Sequence, residues 1–550
     1  MKKFISAILA GAALFGAAGC GGMGHGTGGD KPDTFTDDGR LIIQFFGIDL
    51  DSLQSQTEDT AKIMDVIEQK FNVDFTFLSG TTSSWENLLG QYIGGGDVPD
   101  VFFHTKQEPA YSTWLEDDYL FNYSEYLDDY PNLKKAFERY DEDLLKISLG
   151  GDYYSYPIVM DSTTDKDVIN EHALYYRRDW YEALAAKGWT PSSGRALVDP
   201  EDPAFNYLNF YDLCEGYTKG DPDGDGQNNT YGYALNKDVY WMYPLFSMFG
   251  VNYNGWYKNE SGKWMPEAIS DETKEAVMFV ADMFDNGFIN SDYASTSQQA
   301  MKNDFCNGLA GMMTYNATYP MGKGVLDLME KYAVDGKELS DVVRAMPVVT
   351  GKDGTKYMFG YSNFYGYNAI NNDVSENKKR TIMSIMDWML SEEGMMLLNY
   401  GIEGTHYRIG TDGEIESLLG MGTDGYPKTL YDDSVAAGIY RIKGLVSWST
   451  LIPTHINHYE EQMQLLQSWG ASEYLVADEL AYMAVSSDFA LTVSTLSDSV
   501  DLAYQGIVNR ISGDKEATRE KAWNDFVRTY TMRGDGYITA MNEQAQKVGL

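Results

Sequence analysis

The sequence is poor in cysteine and histidine, with three of the first and six of the second among 550 residues. Cys20, Cys214 and Cys306 are too few for a disulfide framework, and we expect Cys214 and Cys306 to be buried free thiols. So few histidines leave little for metal chemistry or acid–base catalysis. The Gly-x-Ser-x-Gly, His-Glu-x-x-His and phosphate-loop motifs are also absent, which removes the commonest signs of an enzyme.

Basic residues are scarce relative to acidic ones, 42 against 82, which gives a formal net charge of −40. A field of that sign repels nucleic-acid phosphate and anionic lipid and keeps a protein soluble. We therefore expect no nucleic-acid partner and a monomeric state. The 43% of hydrophobic and 14% of aromatic residues indicate a globular chain. Its length predicts about two to four domains or one large bilobed protein.

The N-terminal segment has no apolar run long enough to cross a bilayer, for which about 20 residues are needed. Two lysines precede an apolar run over residues 4–15 and then small residues, which predicts a secretory signal peptide over residues 1–19. The small residues that end in Cys20 resemble a bacterial lipoprotein cleavage site, which implies lipidation of Cys20 and an outward-facing membrane anchor. Residues 20–39, rich in glycine and aspartate, predict a flexible tether before a folded body from about Arg40.

Strand and helix patterns alternate from residue 41 onward. Apolar runs at 41–50, 73–79 and 100–103 predict three strands. Helical spacing between them gives a β-α-β-α-β order, which implies a parallel sheet. Residues 305–318 predict a helix end, a glycine turn and a strand, and residues 430–550 are mostly helical by period.

Several segments follow one another in a characteristic order. They are VIEQKFNVDF with LLGQYIGGGDVPDVFF, YSYPIVM with ALYYRRDWYEAL, FCNGLAGMMTYN, and MDWMLSEEGMMLLNYGIEGTHY. Together they resemble family 1 extracellular solute-binding proteins of ABC importers, over about residues 41 to 545. The Asp-Pro-Asp-Gly-x-Gly loop before Thr-Tyr-Gly resembles the oligosaccharide-binding lipoprotein branch of that family.

The resemblance implies an α/β protein of the periplasmic-binding-protein type, with two discontinuous lobes joined by crossing hinge segments and a ligand cleft between them. Carried onto this sequence, the crossings fall near 157–162, 308–312 and 358–366. They divide the chain into an N-terminal lobe of residues 40–160 and about 311–357 and a C-terminal lobe of residues 161–310 and about 358–550.

The resemblance also implies a receptor that captures a carbohydrate, with an oligosaccharide expected, and presents it to an ABC importer permease. Sugars have flat apolar faces ringed by hydroxyls, so they favour aromatic platforms and polar side chains. Such groups are expected at the carboxyl ends of parallel strands, at the crossings and in polar loops. The candidate ligand contacts are His104, Thr105, Lys106, Asp161, Trp241, Trp256, Tyr315, Asn316, Phe364, Tyr365, Glu403 and Trp448.

The loop DPDGDGQNNTYGY over residues 221–233 begins like a calcium-binding EF-hand loop. Counted from Asp221, position 12 of the loop is Gly232, where a bidentate glutamate is expected. A strand pattern rather than a helix follows the loop. These departures favour a structural calcium site over a calcium sensor, with a polar turn as the alternative. The candidate ligands are the side chains of Asp221, Asp223 and Asp225, the carbonyl of Gln227, and the side chains of Asn229 and Thr230.

Two other functions remain open from the sequence. Abundant carboxylates allow a surface-anchored glycan-degrading enzyme that uses a carboxylate pair. The same receptor fold also allows a peptide or another solute as ligand. A non-catalytic receptor predicts sugar binding without turnover.

Overall fold

The structure is a computed structural model of the 550-residue chain. It describes residues 31–54, 57–81, 84–105, 111–140, 147–148, 151–159, 168–169, 172–317, 321–362, 364–422, 427–430, 433–436, 438–447, 459–476, 478–480, 483–509 and 515–550. The predicted signal peptide, Cys20, Lys106, Asp161 and Trp448 lie outside the described residues.

The described elements are numbered in chain order. The strands are β1 Leu41–Ile48, β2 Val73–Gly80, β3 Val101–His104, β4 Tyr156–Val159, β5 Val168–Ile169, β6 His172–Arg177, β7 Tyr231–Ala234, β8 Trp256–Lys258, β9 Trp264–Pro266, β10 Ala310–Asn316, β11 Val343–Ala345, β12 Met358–Phe359, β13 Tyr361–Ser362, β14 Phe364–Ile370, β15 Tyr407–Ile409, β16 Ile415–Ser417 and β17 Leu475–Val476. The α-helices are α1 Asp51–Gln54, α2 Glu58–Phe71, α3 Trp85–Gly94, α4 Tyr111–Glu116, α5 Pro131–Arg139, α6 Arg178–Lys187, α7 Tyr207–Lys219, α8 Tyr243–Ser247, α9 Asp271–Asp285, α10 Gln298–Cys306, α11 Met321–Met329, α12 Glu376–Met389, α13 Glu392–Tyr400, α14 Asp433–Ala436, α15 Ile439–Lys443, α16 Tyr459–Trp469, α17 Ala490–Val508 and α18 Lys515–Lys547.

The first sheet has the strand order β2-β1-β3-β14-β4. β1 runs parallel to both β2 and β3, which confirms the parallel β-α-β-α-β unit predicted from the start of the body. β14 returns antiparallel between β3 and β4. The parallel strands need helical crossovers, which α2 and α3 provide.

Helix α2 shows why this unit forms where it does. The Thr57 side chain accepts a hydrogen bond from the Thr60 amide and so caps the first turn, while Ile63 and Ile67 bury one face. Asn72 ends the helix in the left-handed region, with φ of 54°. Val73 then begins β2 at once, so a local stop signal sets the start of the strand.

The second sheet has the strand order β11-β6-β10-β7. β10 runs parallel to β7 and antiparallel to β6, and β6 is also antiparallel to β11. All six residues of β6 are buried, as expected for a central strand covered on both faces.

Two hydrophobic cores divide the chain differently from the predicted lobes. The first core contains buried residues from Leu41 to Ile158 and from Tyr367 to Val446. The second contains buried residues from Ala173 to Met358 and from Leu465 to Tyr530. We call these the first and second lobes.

The predicted division therefore needs correction at two segments. Residues 311–357 belong to the second lobe because β10 pairs with β6, and the described part of 364–446 belongs to the first because β14 pairs with β3. The expected crossing near 308–312 is wrong, since α10 and β10 both bury side chains in the second core. At the crossing predicted near 358–366, β13 pairs with β5, which follows the crossing predicted near 157–162.

The folded body begins earlier in the chain than predicted. Lys31 donates its amide to the Asp373 carbonyl at 2.7 Å. The Asp33 carboxylate accepts hydrogen bonds from Ser375 Oγ at 2.6 Å and Asn377 Nδ2 at 3.0 Å, at the start of α12. The chain is thus fixed to the first lobe from Lys31 rather than from Arg40.

The C-terminal region carries the predicted helices, α14 to α18, over its described residues. Tyr504 of α17 and Trp523 of α18 stack at 6.1 Å within the second core. A smaller cluster joins α18 to the β8–β9 hairpin through Trp264 and Met541. Within the described residues, no helix combines the length and the apolar character that a bilayer crossing requires.

Candidate functional site

The crossing segments determine which edges of the two sheets meet. β4 ends at Val159 and β14 begins at Phe364 on the edge of the first sheet where β3 ends. The paired strands β5 and β13 lead from that edge to His172, the first residue of β6. The edge of the second sheet that faces the first lobe is therefore the one where β6 begins and β7 and β10 end.

An aromatic cluster occupies this edge of the second lobe. The Trp241 and Tyr315 rings stack with centroids 5.9 Å apart and an interplanar angle of 19°. The rings of His172 and Tyr240 meet Trp241 edge-on at 4.9 and 5.5 Å. We call these four residues the aromatic cluster.

Backbone features position the cluster. Tyr315 and Asn316 end β10, in register with Ala173 and His172 of β6. Trp241 lies in a short 3₁₀ turn after β7, whose first turn is capped by the Asp238 side chain accepting from the Tyr240 amide at 3.1 Å. Strand register and a capped turn thus bring distant parts of the sequence to one place.

The cluster is largely enclosed in this conformation. Trp241 is 8% exposed and Tyr315 4%. The Lys302 ammonium lies 5.7 Å from the centroid of the Tyr315 ring. Burial lowers the pKa of His172 to about 4, so its imidazole is neutral at physiological pH. Neutral aromatic rings bordered by the Asn316 amide and the Lys302 ammonium suit a flat, hydroxyl-bearing ligand.

The facing edge of the first lobe is built around His104, the last residue of β3. Its ring stacks between Tyr111 at 4.9 Å and Tyr367 at 5.3 Å. Nε2 lies 2.8 Å from Ser155 Oγ, and Nδ1 lies 3.3 Å from the Thr105 carbonyl, which can only accept. Burial lowers the pKa of His104 to about 4. The imidazole is a buried support of this edge, and the half-buried Thr105 lies nearer the surface.

The acidic loop lies between α7 and β7. One carboxylate oxygen each from Asp221, Asp223 and Asp225 lies within 4.8 Å of the others. Asp221 Oδ1 accepts the Gly226 amide at 3.1 Å, and Gly226 has φ of 77°, a conformation that glycine adopts without strain. Converging carboxylates on a tightly curled loop are a suitable oxygen donor set for Ca²⁺. Lys187 Nζ lies 3.6 Å from Asp221 Oδ2 at the side of the cluster.

The missing glutamate at position 12 has a steric cause. A Cβ on Gly232 would lie 2.7 Å from Cα of Cys214, because β7 packs directly on α7 there. No side chain larger than hydrogen fits at that position, so a glutamate ligand is excluded.

Two predicted ligands of the loop are oriented differently from the expectation. The Thr230 hydroxyl donates to the Tyr217 carbonyl at 2.7 Å and is buried, so it points away from the carboxylates. Asn229 presents its amide nitrogen to Asp225 Oδ2 at 2.9 Å, and ligation through its oxygen requires a rotation of the amide. The backbone amide of Gln227 donates to Asp225 Oδ1 at 2.7 Å.

The acidic loop and the aromatic cluster lie at opposite ends of one strand. β7 begins at Tyr231, directly after the loop, and the turn that carries Trp241 follows its other end. A cation bound at the loop would thus be separated from a ligand bound at the cluster by the length of β7.

Comparison with known proteins identifies the family. Residues 54–396 match the family model described as bacterial extracellular solute-binding protein. The chain belongs to this family.

The solute-binding protein is 24% identical over 334 residues to the polygalacturonan/rhamnogalacturonan-binding protein YtcQ of Bacillus subtilis (strain 168). The match covers 60% of this chain and 59% of that relative. The chain thus matches about three fifths of that relative's own length. It is also 24% identical over 393 residues to lipoprotein LipO of the same organism, which covers 69% of this chain and 68% of that protein.

A solved structure of alginate-binding protein AlgQ2 without calcium ion has the same fold. The TM-score is 0.63 at 15% sequence identity, and the match covers 92% of this chain and 98% of that chain. The periplasmic-binding-protein-like architecture predicted for the solute-binding protein is thereby confirmed.

Not all predicted contact residues of the solute-binding protein come together. Trp241, Tyr315 and Asn316 share the edge of the second lobe. Trp256 lies instead in the β8–β9 hairpin, where its ring meets Tyr537 of α18 at 5.6 Å. Glu403 is exposed in the turn after α13 of the first lobe. The backbone of Phe364 and Tyr365 begins β14, on the edge where His104 ends β3.

His172 and Tyr240 of the aromatic cluster are not among the contacts that the sequence predicts. His172 begins a strand directly after a crossing segment, and Tyr240 precedes Trp241 in the same polar loop. The position of His172 directly after a crossing segment marks it as a candidate cleft residue, since the crossings are expected to supply such residues.

Proposed function

We propose that this solute-binding protein captures an oligosaccharide between its two lobes and delivers it to the permease of an ABC importer. The observation that carries the proposal is the stacked pair of Trp241 and Tyr315 at the edge facing the first lobe. A sugar ring lies with its apolar face on such aromatic surfaces while its hydroxyls bond to neighbouring polar groups. Closure of the lobes by hinge motion encloses the ligand and creates the form that the permease recognises.

The names of similar proteins support a carbohydrate ligand. One curated relative is a polygalacturonan/rhamnogalacturonan-binding protein, and a protein with the same fold binds alginate. The role requires binding and release without bond cleavage, so we propose that the protein is not an enzyme.

We further propose that the protein is held at the outer face of the cell membrane through a lipid on Cys20. The sequence before this residue predicts a secretory signal and resembles a lipoprotein cleavage site, and a similar protein is named as a lipoprotein. The number of residues between Cys20 and Lys31 then limits the distance of the first lobe from the membrane.

We also propose that the acidic loop binds one structural Ca²⁺ through Asp221, Asp223 and Asp225. The convergence of the three carboxylates supports this assignment, and the steric requirement for glycine at position 12 accounts for the missing glutamate. Without the bidentate glutamate, the affinity is expected to be moderate, in the range of extracellular calcium modules. Bound calcium would neutralise the repulsion among the carboxylates and fix the start of β7.

Replacement of Trp241 by alanine is expected to weaken oligosaccharide binding by about 10-fold, because it removes the aromatic surface from the cleft edge. Isothermal titration of the mature protein with a panel of oligosaccharides measures the dissociation constant. Tryptophan fluorescence should change on binding in the wild-type protein and respond less in the variant.

Trp388→Ala is the matched control, because Trp388 packs against Phe71 on α2, outside the cleft edge. It should leave the dissociation constant unchanged. Equal loss of affinity in both variants would contradict the assignment of the aromatic cluster as the sugar surface. Binding of peptides alone would overturn the carbohydrate proposal, and release of shortened glycans would replace it with an enzymatic function.

A further inference from the structure

Among the described residues, a side-chain contact joins α4 of the first lobe to the segment just before α17 of the second lobe. The Glu116 carboxylate, at the end of α4, accepts the Ser487 amide at 3.0 Å and the Ser487 hydroxyl. Burial raises the pKa of Glu116, but the hydrogen bonds from Ser487 and Ser486 outweigh it and lower the pKa overall. The carboxylate is therefore charged at physiological pH and caps the segment that begins α17.

On the first lobe, α4 is fixed to the cleft edge. Its first residue, Tyr111, stacks on His104 at 4.9 Å, and Trp114 meets the same imidazole edge-on at 6.1 Å. The position of Glu116 is thus coupled to the end of β3.

On the second lobe, α17 leads from the contact to the aromatic cluster. Ser487 lies just before the first turn of α17, and Gln505 near its other end donates to the Lys237 carbonyl at 2.6 Å. Lys237 immediately precedes Asp238, which caps the turn that carries Trp241. In addition, the Tyr504 hydroxyl donates to the Ala268 carbonyl at 2.6 Å and fixes the helix to the second core. The 19 residues of the helix span about 28 Å.

We infer that Glu116 and Ser487 form a latch between the lobes that holds the cleft closed and so sets ligand affinity and residence time. This inference rests on the proposed function, in which lobe closure encloses the ligand. Both lobes present the latch on elements connected to the cleft, α4 beside His104 and α17 beside the Trp241 turn. Lobe opening must break the contact, whereas motions within one lobe leave it intact.

The latch acts by changing the populations of open and closed forms. A ligand that binds the closed form gains apparent affinity in proportion to the fraction of protein that is closed. A charged hydrogen-bonded contact that exists only in the closed form raises that fraction. Glu116 and Ser487 are accordingly positioning residues, since neither needs to contact the ligand.

The test uses Glu116→Ala, Ser487→Ala and the double variant of the full mature protein. Each single variant is expected to weaken oligosaccharide binding about 3- to 10-fold, mainly through faster dissociation. Glu116→Ala removes the acceptor of both hydrogen bonds, whereas Ser487→Ala removes only the one from the hydroxyl and keeps the one from the Ser487 backbone amide. The double variant should therefore lose no more than Glu116→Ala alone. Surface plasmon resonance supplies the rate constants, with the panel that binds the wild-type protein.

A second readout needs no ligand. Hydrogen exchange of the Ser487 amide should accelerate in Glu116→Ala, and small-angle scattering should show a larger radius of gyration than for the wild-type protein. Asp117→Ala is the matched control, because Asp117 is the next exposed carboxylate along the chain. It should change neither measurement.

Three results would overturn the latch: additive losses in the double variant, unchanged exchange at Ser487, or an unchanged radius of gyration in Glu116→Ala. If the wild-type protein binds no oligosaccharide, the proposed function fails, and the ligand-free measurements still decide whether the lobes are latched.

Discussion

Replacement of Lys378 by methionine is expected to lower the free energy of unfolding of the first lobe by about 3–5 kcal/mol, the cost of leaving a buried charge without its partner. Lys378 Nζ lies 2.8 Å from Asp100 Oδ2, and each side chain is 7% exposed. The backbone amide of Gln44 donates to the same carboxylate oxygen at 2.8 Å. Asp100 therefore ties together β1, the start of β3 and α12.

This ion pair also explains a motif. Asp100 ends the Gly-Asp-Val-Pro-Asp segment that carries the family resemblance, and its partner comes from a part of the chain 278 residues later. The motif is thus the point where the late segment carrying β14 and α12 is fixed to the first lobe.

Urea unfolding followed by tryptophan fluorescence and by circular dichroism measures the effect. Lys379→Met, at the half-buried neighbouring lysine, is the control and should cost less than about 1 kcal/mol. Asp100→Asn combined with Lys378→Met should recover part of the loss, because no unpaired charge remains. A loss in Lys378→Met no greater than in the control would show that the pair contributes little.

Removal of the proposed calcium ion is expected to have the second large effect on stability. At a calcium concentration 100-fold above the dissociation constant, a site that exists only in the folded protein adds about 2.7 kcal/mol to its stability. Chelation should remove that contribution and lower the melting temperature of the second lobe. Asp223→Asn should have the lower melting temperature in calcium and should respond little to the chelator.

Asp412→Asn is the control for the calcium experiment, because it removes an exposed carboxylate from another Asp-Gly turn, in the first lobe. It should respond to calcium like the wild-type protein. Calcium should leave sugar affinity nearly unchanged, since the loop and the aromatic cluster lie at opposite ends of β7. Equal melting temperatures with and without chelator would return the loop to a polar turn.

Local patterns were sufficient for much of this protein. Apolar runs, helical spacing and a glycine turn predicted the parallel strands of the first sheet and the helix–turn–strand that ends at Asn316, because these features act within a few residues. The first half of the acidic loop was readable for the same reason, since Asp221, Asp223 and Asp225 act within one turn.

The rest depended on contacts between distant residues. Nothing near β10 specifies that it pairs with β6 rather than with the first sheet, so the lobe assignment of residues 311–357 failed. The sequence likewise placed His104 at a strand end without indicating the two tyrosine rings that bury it. The same limit applies to Thr230, whose hydroxyl turns inward to a carbonyl of α7.

By itself, the sequence determined the fold family and the chemical types available to a cleft, and it predicts a secretory start. Only the tertiary structure decided which of those groups meet. Trp241 joins Tyr315 because strand register aligns the ends of β7 and β10, and Gly232 replaces a glutamate because a helix backbone lies 2.7 Å away. Strand pairing and close packing are long-range constraints, and no local pattern of residues encodes them.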